Sequence, residues 1–253
     1  MTVKELYSAL CAQIPATLSM PWDNDGLQLC PDPDREVKKV LCSLDLTYEA
    51  AKKAVENGCD ALMTHHPFMF APLRSIRAGE GKADALLLLL KNGIAAMSFH
   101  TRYDALEGGM NDILADRLGL TDTKCFGDAG EEIGRIGVIA ETDIRAFAEN
   151  AKKALDAPFA LLSAGDIKTV KRVAVCGGDG KDFIIPAAKE GADILVTGRA
   201  SYNTAVEAQE HGVAVLECGH FYTEVICLPD FAARLEKMGI EAVVYDTCEI
   251  EAI

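Results

Sequence analysis

Three short stretches of this chain carry side chains that bind metals: His65 and His66 in Thr64-His65-His66-Pro67, Asp104 in His100-Thr101-Arg102-Tyr103-Asp104, and His220 and Glu224 in Gly219-His220-Phe221-Tyr222-Thr223-Glu224. Neutral imidazole combined with carboxylate suits first-row divalent ions such as Zn, Fe, Mn or Ni. Singly, each residue has an ordinary reading: a His pair as polar surface, Asp104 as a turn or cap residue, Glu224 as an exposed helix carboxylate. In a helix that begins at Gly219, His220 and Glu224 stand four apart and share one face, so both reach one ion or an adjacent pair. Three imidazoles and two carboxylates exceed what one tetrahedral zinc needs, and a bridging carboxylate allows two ions about 3.5–4 Å apart.

Delivering these groups to one place is the task of the surrounding elements. Residues 59–63 read as a short buried strand running up to the His pair, and Pro67 cannot continue a central strand. Strand ends of this kind are where open α/β sheets bind ligands. In order, the pattern predicts a helix over 3–13, a strand over 37–46, a helix from the N-cap Thr47 to about 57, and the strand 59–63. A helix over 83–91, a strand over 93–99 and a helix over 111–118 follow. A second set repeats the plan: strand 136–140, helix 143–155, strand 170–176, helix 183–190, strands 192–196 and 213–218, helix 228–238 and strand 242–245. Trp22-Asp23-Asn24-Asp25-Gly26-Leu27-Gln28 reads as a surface loop pinned by a buried indole. Alternating strands and helices predict an α/β fold with largely parallel or mixed sheets flanked by helices.

The two sets look duplicated. Val37-Lys38-Lys39-Val40 matches Val170-Lys171-Arg172-Val173 at an offset of 170 − 37 = 133, and the stretch 58–64 matches 191–197 at the same offset. Asn92-Gly93-Ile94-Ala95 matches His211-Gly212-Val213-Ala214 at 211 − 92 = 119, which implies a deletion in between, and the first offset aligns His65 with Gly198. Two similar α/β lobes are expected, with the metal site in the cleft between them. The first lobe is placed at 1–125, completed by 226–253, and the second at 126–225.

A net charge of −14 argues against nonspecific nucleic-acid or anionic-membrane partners. The N-terminal residues form no apolar run long enough for a secretion signal, and the longest apolar block, 85–90, is far short of a membrane span. Nine cysteines, odd in number and without a C-x-x-C pair, suit the reduced thiols of a cytoplasm better than a disulfide framework or a thiolate zinc site. A cytoplasmic location is expected.

The blocks Thr64-His65-His66-Pro67, His100-Thr101 through Asp104 with Gly108-Gly109-Met110-Asn111-Asp112, Val196-Thr197-Gly198, and 219–224 resemble, in order, the signatures of one family. This is the family of dinuclear-metal-centre proteins called GTP cyclohydrolase 1 type 2 homologues (Nif-three-like); Trp22-Asp23-Asn24 and Ser43-Leu44-Asp45-Leu46-Thr47 resemble its early blocks. The resemblance implies that His65, His66, Asp104, His220 and Glu224 are the ligands of two divalent metal ions per subunit. It also implies a two-lobed α/β fold, a cytoplasmic location and a ring-like homohexamer with its sites facing an internal cavity. The chain departs from the pattern at Arg102 and Tyr103, at Arg199, and at Ser201-Tyr202-Asn203, none of which removes a ligand.

The chemistry such a centre implies is hydrolysis by a metal-activated water. His100, near the cluster but outside the ligand set, is the candidate catalytic proton carrier or orienting group. Arg102 or Arg199 offers a cation for a substrate phosphate or carboxylate, and Gly177-Gly178-Asp179-Gly180 reads equally as a phosphate cradle or a tight turn. No G-x-x-x-x-G-K-[ST] pattern occurs, so a nucleotide or related phosphorylated substrate rests on the family resemblance alone. A metal-dependent assembly scaffold and a metal-storage protein need the same ligands and stand as alternatives.

Overall fold

A computed structural model describes residues 1–248, 250 and 251. Eleven strands appear among them: β1 (Gly26–Leu29), β2 (Lys39–Ser43), β3 (Ala61–Thr64), β4 (Ala95–Ser98), β5 (Thr121–Phe126), β6 (Gly134–Asp143), β7 (Leu161–Ser163), β8 (Thr169–Cys176), β9 (Ile194–Thr197), β10 (Ala214–Glu217) and β11 (Glu241–Tyr245). They form two mixed sheets, one in each of two compact units.

The first unit comprises Met1–Tyr103 and Cys227–Thr247. Its sheet runs β1-β4-β3-β2-β11, antiparallel between β1 and β4 and parallel elsewhere. Every residue of β3 and β4 is buried, as expected of central strands covered on both faces. Leu41, Leu62 and Ala96 meet Ala50, Ala51 and Ala54 of the helix Tyr48–Glu56 and Leu86 and Leu89 of the helix Gly81–Asn92. Thr47 caps the first of these helices, its hydroxyl accepting from the Ala50 amide at 3.0 Å, and Gly93 closes the second in the left-handed conformation (φ 66°) that favours glycine.

The second unit holds Asp104–Ile226 with the described chain end from Cys248. Its sheet runs β5-β6-β8-β9-β10-β7, parallel only over β8-β9-β10. One face packs Val173, Val175, Val196 and Leu216 on Phe147 and Ala151 of the helix Ile144–Ala154 and on Leu114 of the helix Met110–Arg117. The other packs Ala174, Leu195 and Val215 on Ile184, Ala187 and Ala208. Residues 104–125, placed with the first lobe on sequence, belong to this unit, because β5 pairs with β6.

The duplication is visible in the strand registers. Val40 pairs with Ala61 and Val173 with Ile194, both members shifted by 133; Ala61 pairs with Ala95 and Ile194 with Ala214, the last step shifted by 119. A side-chain clamp repeats as well. The Asp60 carboxylate accepts from the Lys38 and Lys39 amides at 2.9 and 3.2 Å, and Asp193 accepts from the Lys171 and Arg172 amides, both at 2.8 Å. The parallel core of each sheet was readable from sequence, whereas β1, β5 and β7 and the helices Thr101–Ala105 and Tyr202–Glu210 were not. All three missed strands are antiparallel edge strands, too short or too polar to show an apolar run.

Candidate metal centre

In the first unit, β3 and β4 end side by side, and His65, His66 and His100 follow them. The donor atoms of these three imidazoles lie within 4.8 Å of one another. Their ring centroids are 5.0 Å (His65–His66), 5.3 Å (His65–His100) and 5.6 Å (His66–His100) apart. His65 is fully buried, and its Nδ1 lies 3.0 Å from the Phe99 carbonyl. The Nδ1 of His66 lies 3.0 Å from Asp45 Oδ1, and that of His100 lies 3.0 Å from both carboxylate oxygens of Asp23. A carbonyl or carboxylate only accepts, so each Nδ1 carries the proton it donates and the lone pair of each neutral ring sits on Nε2. Metal-ligating histidines are oriented by this arrangement.

Asp23 holds more than His100. Its carboxylate, shielded from solvent, also accepts from the Thr101 amide at 3.1 Å and the Thr101 hydroxyl at 2.6 Å. Burial pushes this carboxyl upward, but His100 and the Thr101 donors outweigh it and hold the pKa at about 2.

In the second unit, Gly219 (φ 85°) turns the chain from β10 into the short helix His220–Glu224. His220 Nε2 then lies 2.9 Å from Glu224 Oε2, so the four-residue spacing does place both on one face. Glu224 and Asp104 are buried, and both charges act on the buried thiol of Cys176. Burial first, then these two carboxylates, push that thiol well above its usual range. His220 and Glu224 belong to a second group of candidate donors.

Glycines shape this region. Gly178 adopts φ 64°, and a Cβ there would collide with Glu224 Oε1 and come 3.2 Å from His220 Nε2. At Gly198, the counterpart of His65, a Cβ would press on the Gly178 carbonyl, the His220 Cα and Thr223 Oγ1, each at 2.6 Å. The second unit therefore has no room for a histidine at the duplicated position. The imidazoles with Nδ1 tied back, and the His220–Glu224 pair with the space glycine preserves beside it, are donor types that suit divalent first-row ions, whereas Asp104 stands in neither candidate donor group found among the described residues.

Several expectations change on the structure. Trp22 is not a buried pin; its side chain stands 55% exposed. Arg102 is buried and committed, donating to both oxygens of Asp25 at 2.7 and 2.6 Å with its guanidinium 5.1 Å from the Phe99 ring centre, so it is not a cation for substrate. Arg199 is exposed. The 177–180 turn is wall, not phosphate cradle: the amides of Gly177, Gly178 and Gly180 already donate to Asn111 Oδ1, Thr223 Oγ1 and Thr197 Oγ1. His100, expected beside the centre, stands among the candidate donors themselves. Asp23 and Asp45 were not singled out on sequence as orienting groups; the acidic residue inside each of two early blocks, Trp22-Asp23-Asn24 and Ser43-Leu44-Asp45, was the available signal.

The family profile described as Duf34/NIF3 (NGG1p interacting factor 3) matches residues 1–250. A GTP cyclohydrolase 1 type 2 homolog of Streptococcus pneumoniae is 33% identical over 241 residues, 93% of this chain and 89% of its own length. The structure of reduced HcgD from Methanocaldococcus jannaschii matches with a TM-score of 0.86 at 29% identity, covering 98% of both chains. A Bacillus cereus protein related to NIF3 shares the fold with a TM-score of 0.91 at 22% identity, over 100% of this chain and 99% of the other.

Proposed function

This chain belongs to the Duf34/NIF3 family, and from that premise we propose that it is a metal-dependent hydrolase using two divalent ions, with a nucleotide or related phosphorylated compound as substrate. His65, His66, Asp104, His220 and Glu224 would hold the ions, as the family resemblance implies. Bound there, the ions supply Lewis-acid polarisation and a water acidic enough to ionise near neutrality.

The chain's own residues do the rest. The Phe99 carbonyl and Asp45 fix the orientations of the His65 and His66 rings through their Nδ1 atoms. Asp23 holds His100 with its Nε2 basic, and a proton taken there leaves an imidazolium that the same carboxylate stabilises. Although it stands among the candidate donors, His100 is in this reading the proton carrier and not a ligand of the ions.

The single observation that supports this reading is the three-imidazole cluster, each ring with Nδ1 on an oxygen acceptor and all donors within 4.8 Å. Elemental analysis of protein purified without added metal is expected to find about two divalent ions per chain. With that ion restored, a screen of nucleotides and phosphorylated compounds is expected to find turnover that Asp104→Ala abolishes while circular dichroism stays unchanged. Turnover that survives complete metal removal would end the proposal. Tight metal binding with no hydrolysis across the panel would favour the scaffold or storage alternative.

A further inference from the structure

Two large aromatic side chains stand in solvent beside the histidine cluster. Trp22 is 55% exposed and Phe70 54%. Their ring centroids are 6.1 Å apart at an interplanar angle of 66°, and each lies 6.4 Å from the His100 ring, at 73° and 83°. The three rings form the walls of a corner with His100 at its inner edge.

The corner is built, not draped. Asn24 Nδ2 donates to the Met69 carbonyl, and the Met69 amide donates to Gln28 Oε1 at 3.2 Å. Gln28 Nε2 closes the ring of contacts by donating to the Asn24 carbonyl at 2.6 Å. The stretch carrying Trp22 is therefore stitched to the one carrying Phe70. On either side of Trp22, the Met20 amide donates to Thr101 Oγ1 at 3.0 Å and Asp23 grips Thr101 and His100. The same four-residue segment thus orients His100 and aims the indole.

Holding two aromatic faces rigidly in water has an energetic cost that a stacking ligand removes. We propose that the Trp22–Phe70 corner binds the planar heterocyclic base of the substrate, stacked face-on against one ring and edge-on to the other. This rests on the reading of the histidine cluster as the reaction centre and names the part of the substrate recognised beside it. A base so placed lies about one ring-width from His100, which sets the group to be attacked within reach of the cluster. Stacking of this kind tolerates any base, because every base presents a π-face. The corner therefore selects a heterocycle over a bare sugar phosphate, and the choice among bases is made elsewhere.

Trp22 is the only tryptophan, so intrinsic indole fluorescence reports on this corner alone. Guanosine, adenosine and ribose 5-phosphate are titrated in turn into the full chain as purified. Saturable quenching by at least one nucleoside and none by ribose 5-phosphate is expected. Phe70→Ala, at an exposed position that leaves the core intact, is expected to weaken that nucleoside about 5- to 150-fold, and Phe70→Tyr to restore most of the affinity. No saturable quenching by either nucleoside, or affinity indifferent to Phe70→Ala, overturns the proposal. So does a Phe70→Ala chain whose mass by light scattering changes while its nucleoside affinity does not, since the corner is then a contact between copies. Nucleoside binding without metal-dependent turnover ends the hydrolase reading and leaves the corner standing. Metal-dependent turnover that is insensitive to Trp22→Ala and Phe70→Ala does the reverse.

Discussion

Asp23 is the residue on which the histidine cluster turns. Its side chain is out of solvent, and its carboxylate binds His100, the Thr101 amide and hydroxyl, and the Asn24 amide. Asp23→Asn keeps the shape but offers an amide that can face Nδ1 as a donor, which favours the opposite tautomer and moves the lone pair off Nε2. With His65 and His66 untouched, the variant is expected to keep most of its metal by elemental analysis and to lose about 10- to 100-fold in turnover. Gly178 works by absence. Gly178→Ala puts a methyl group into the Glu224 carboxylate at a backbone angle that L residues resist, at about 1–2 kcal/mol. Metal content is expected to fall and the urea midpoint to drop in the same variant; full metal occupancy would show that Glu224 needs no such space.

The unit of construction one level up is the parallel strand pair with an aspartate at the foot of the inner strand. Asp60 locks two amides of the neighbouring strand and also meets Arg35 at 3.0 Å. Burial raises this carboxyl, but the Lys38 amide, Arg35 and the Lys39 amide together bring it below its ordinary value. Its native pKa lies under the unfolded value of about 3.9, so its contribution is full above that pH and is lost as pH falls through the native value. Asp60→Asn is expected to cost about 1 kcal/mol at neutral pH in urea unfolding and to flatten the acid limb of the stability profile. Asp193→Asn breaks the equivalent clamp in the second unit and is expected to cost a similar amount at neutral pH, since Asp193 bonds the two corresponding amides, of Lys171 and Arg172. A loss in one variant only would mean that the duplicated clamps have diverged in energy as the two units have diverged in sequence.

For the molecule as a whole, an ion that binds only the folded chain stabilises it by mass action. At a free concentration a hundred times Kd the gain is about 2.7 kcal/mol. Calorimetry with and without a chelator is expected to show a lower Tm after metal removal and recovery on adding the native ion; an unchanged Tm would argue that these side chains hold none. Among the described residues, no helix is long and apolar enough to cross a membrane. The net charge of −14 will repel polyanions.

From sequence alone came the features that depend on local pattern. The buried parallel strands announce themselves as apolar runs, Thr47 as a cap, and the offsets 133 and 119 as a duplication whose registers the sheets then repeat. The candidate donor residue types were legible too, because His65-His66, Asp104 and His220 with Glu224 recur in three motif blocks in the order that the family resemblance implies, although each taken singly reads as ordinary surface. Tertiary structure alone decided which of the remaining polar groups serve them. Asp23 and His100 lie 77 residues apart, and nothing local in Trp22-Asp23-Asn24 says that its carboxylate faces an imidazole while its indole faces water. Arg102 looked like a cation for substrate until folding brought Asp25 onto it, and the glycines of 177–180 looked like a cradle until Asn111, Thr197 and Thr223 took their amides. Periodicity records which face of an element is buried; the partner of a buried polar group is set by contacts between distant segments, and those exist only once the chain has folded.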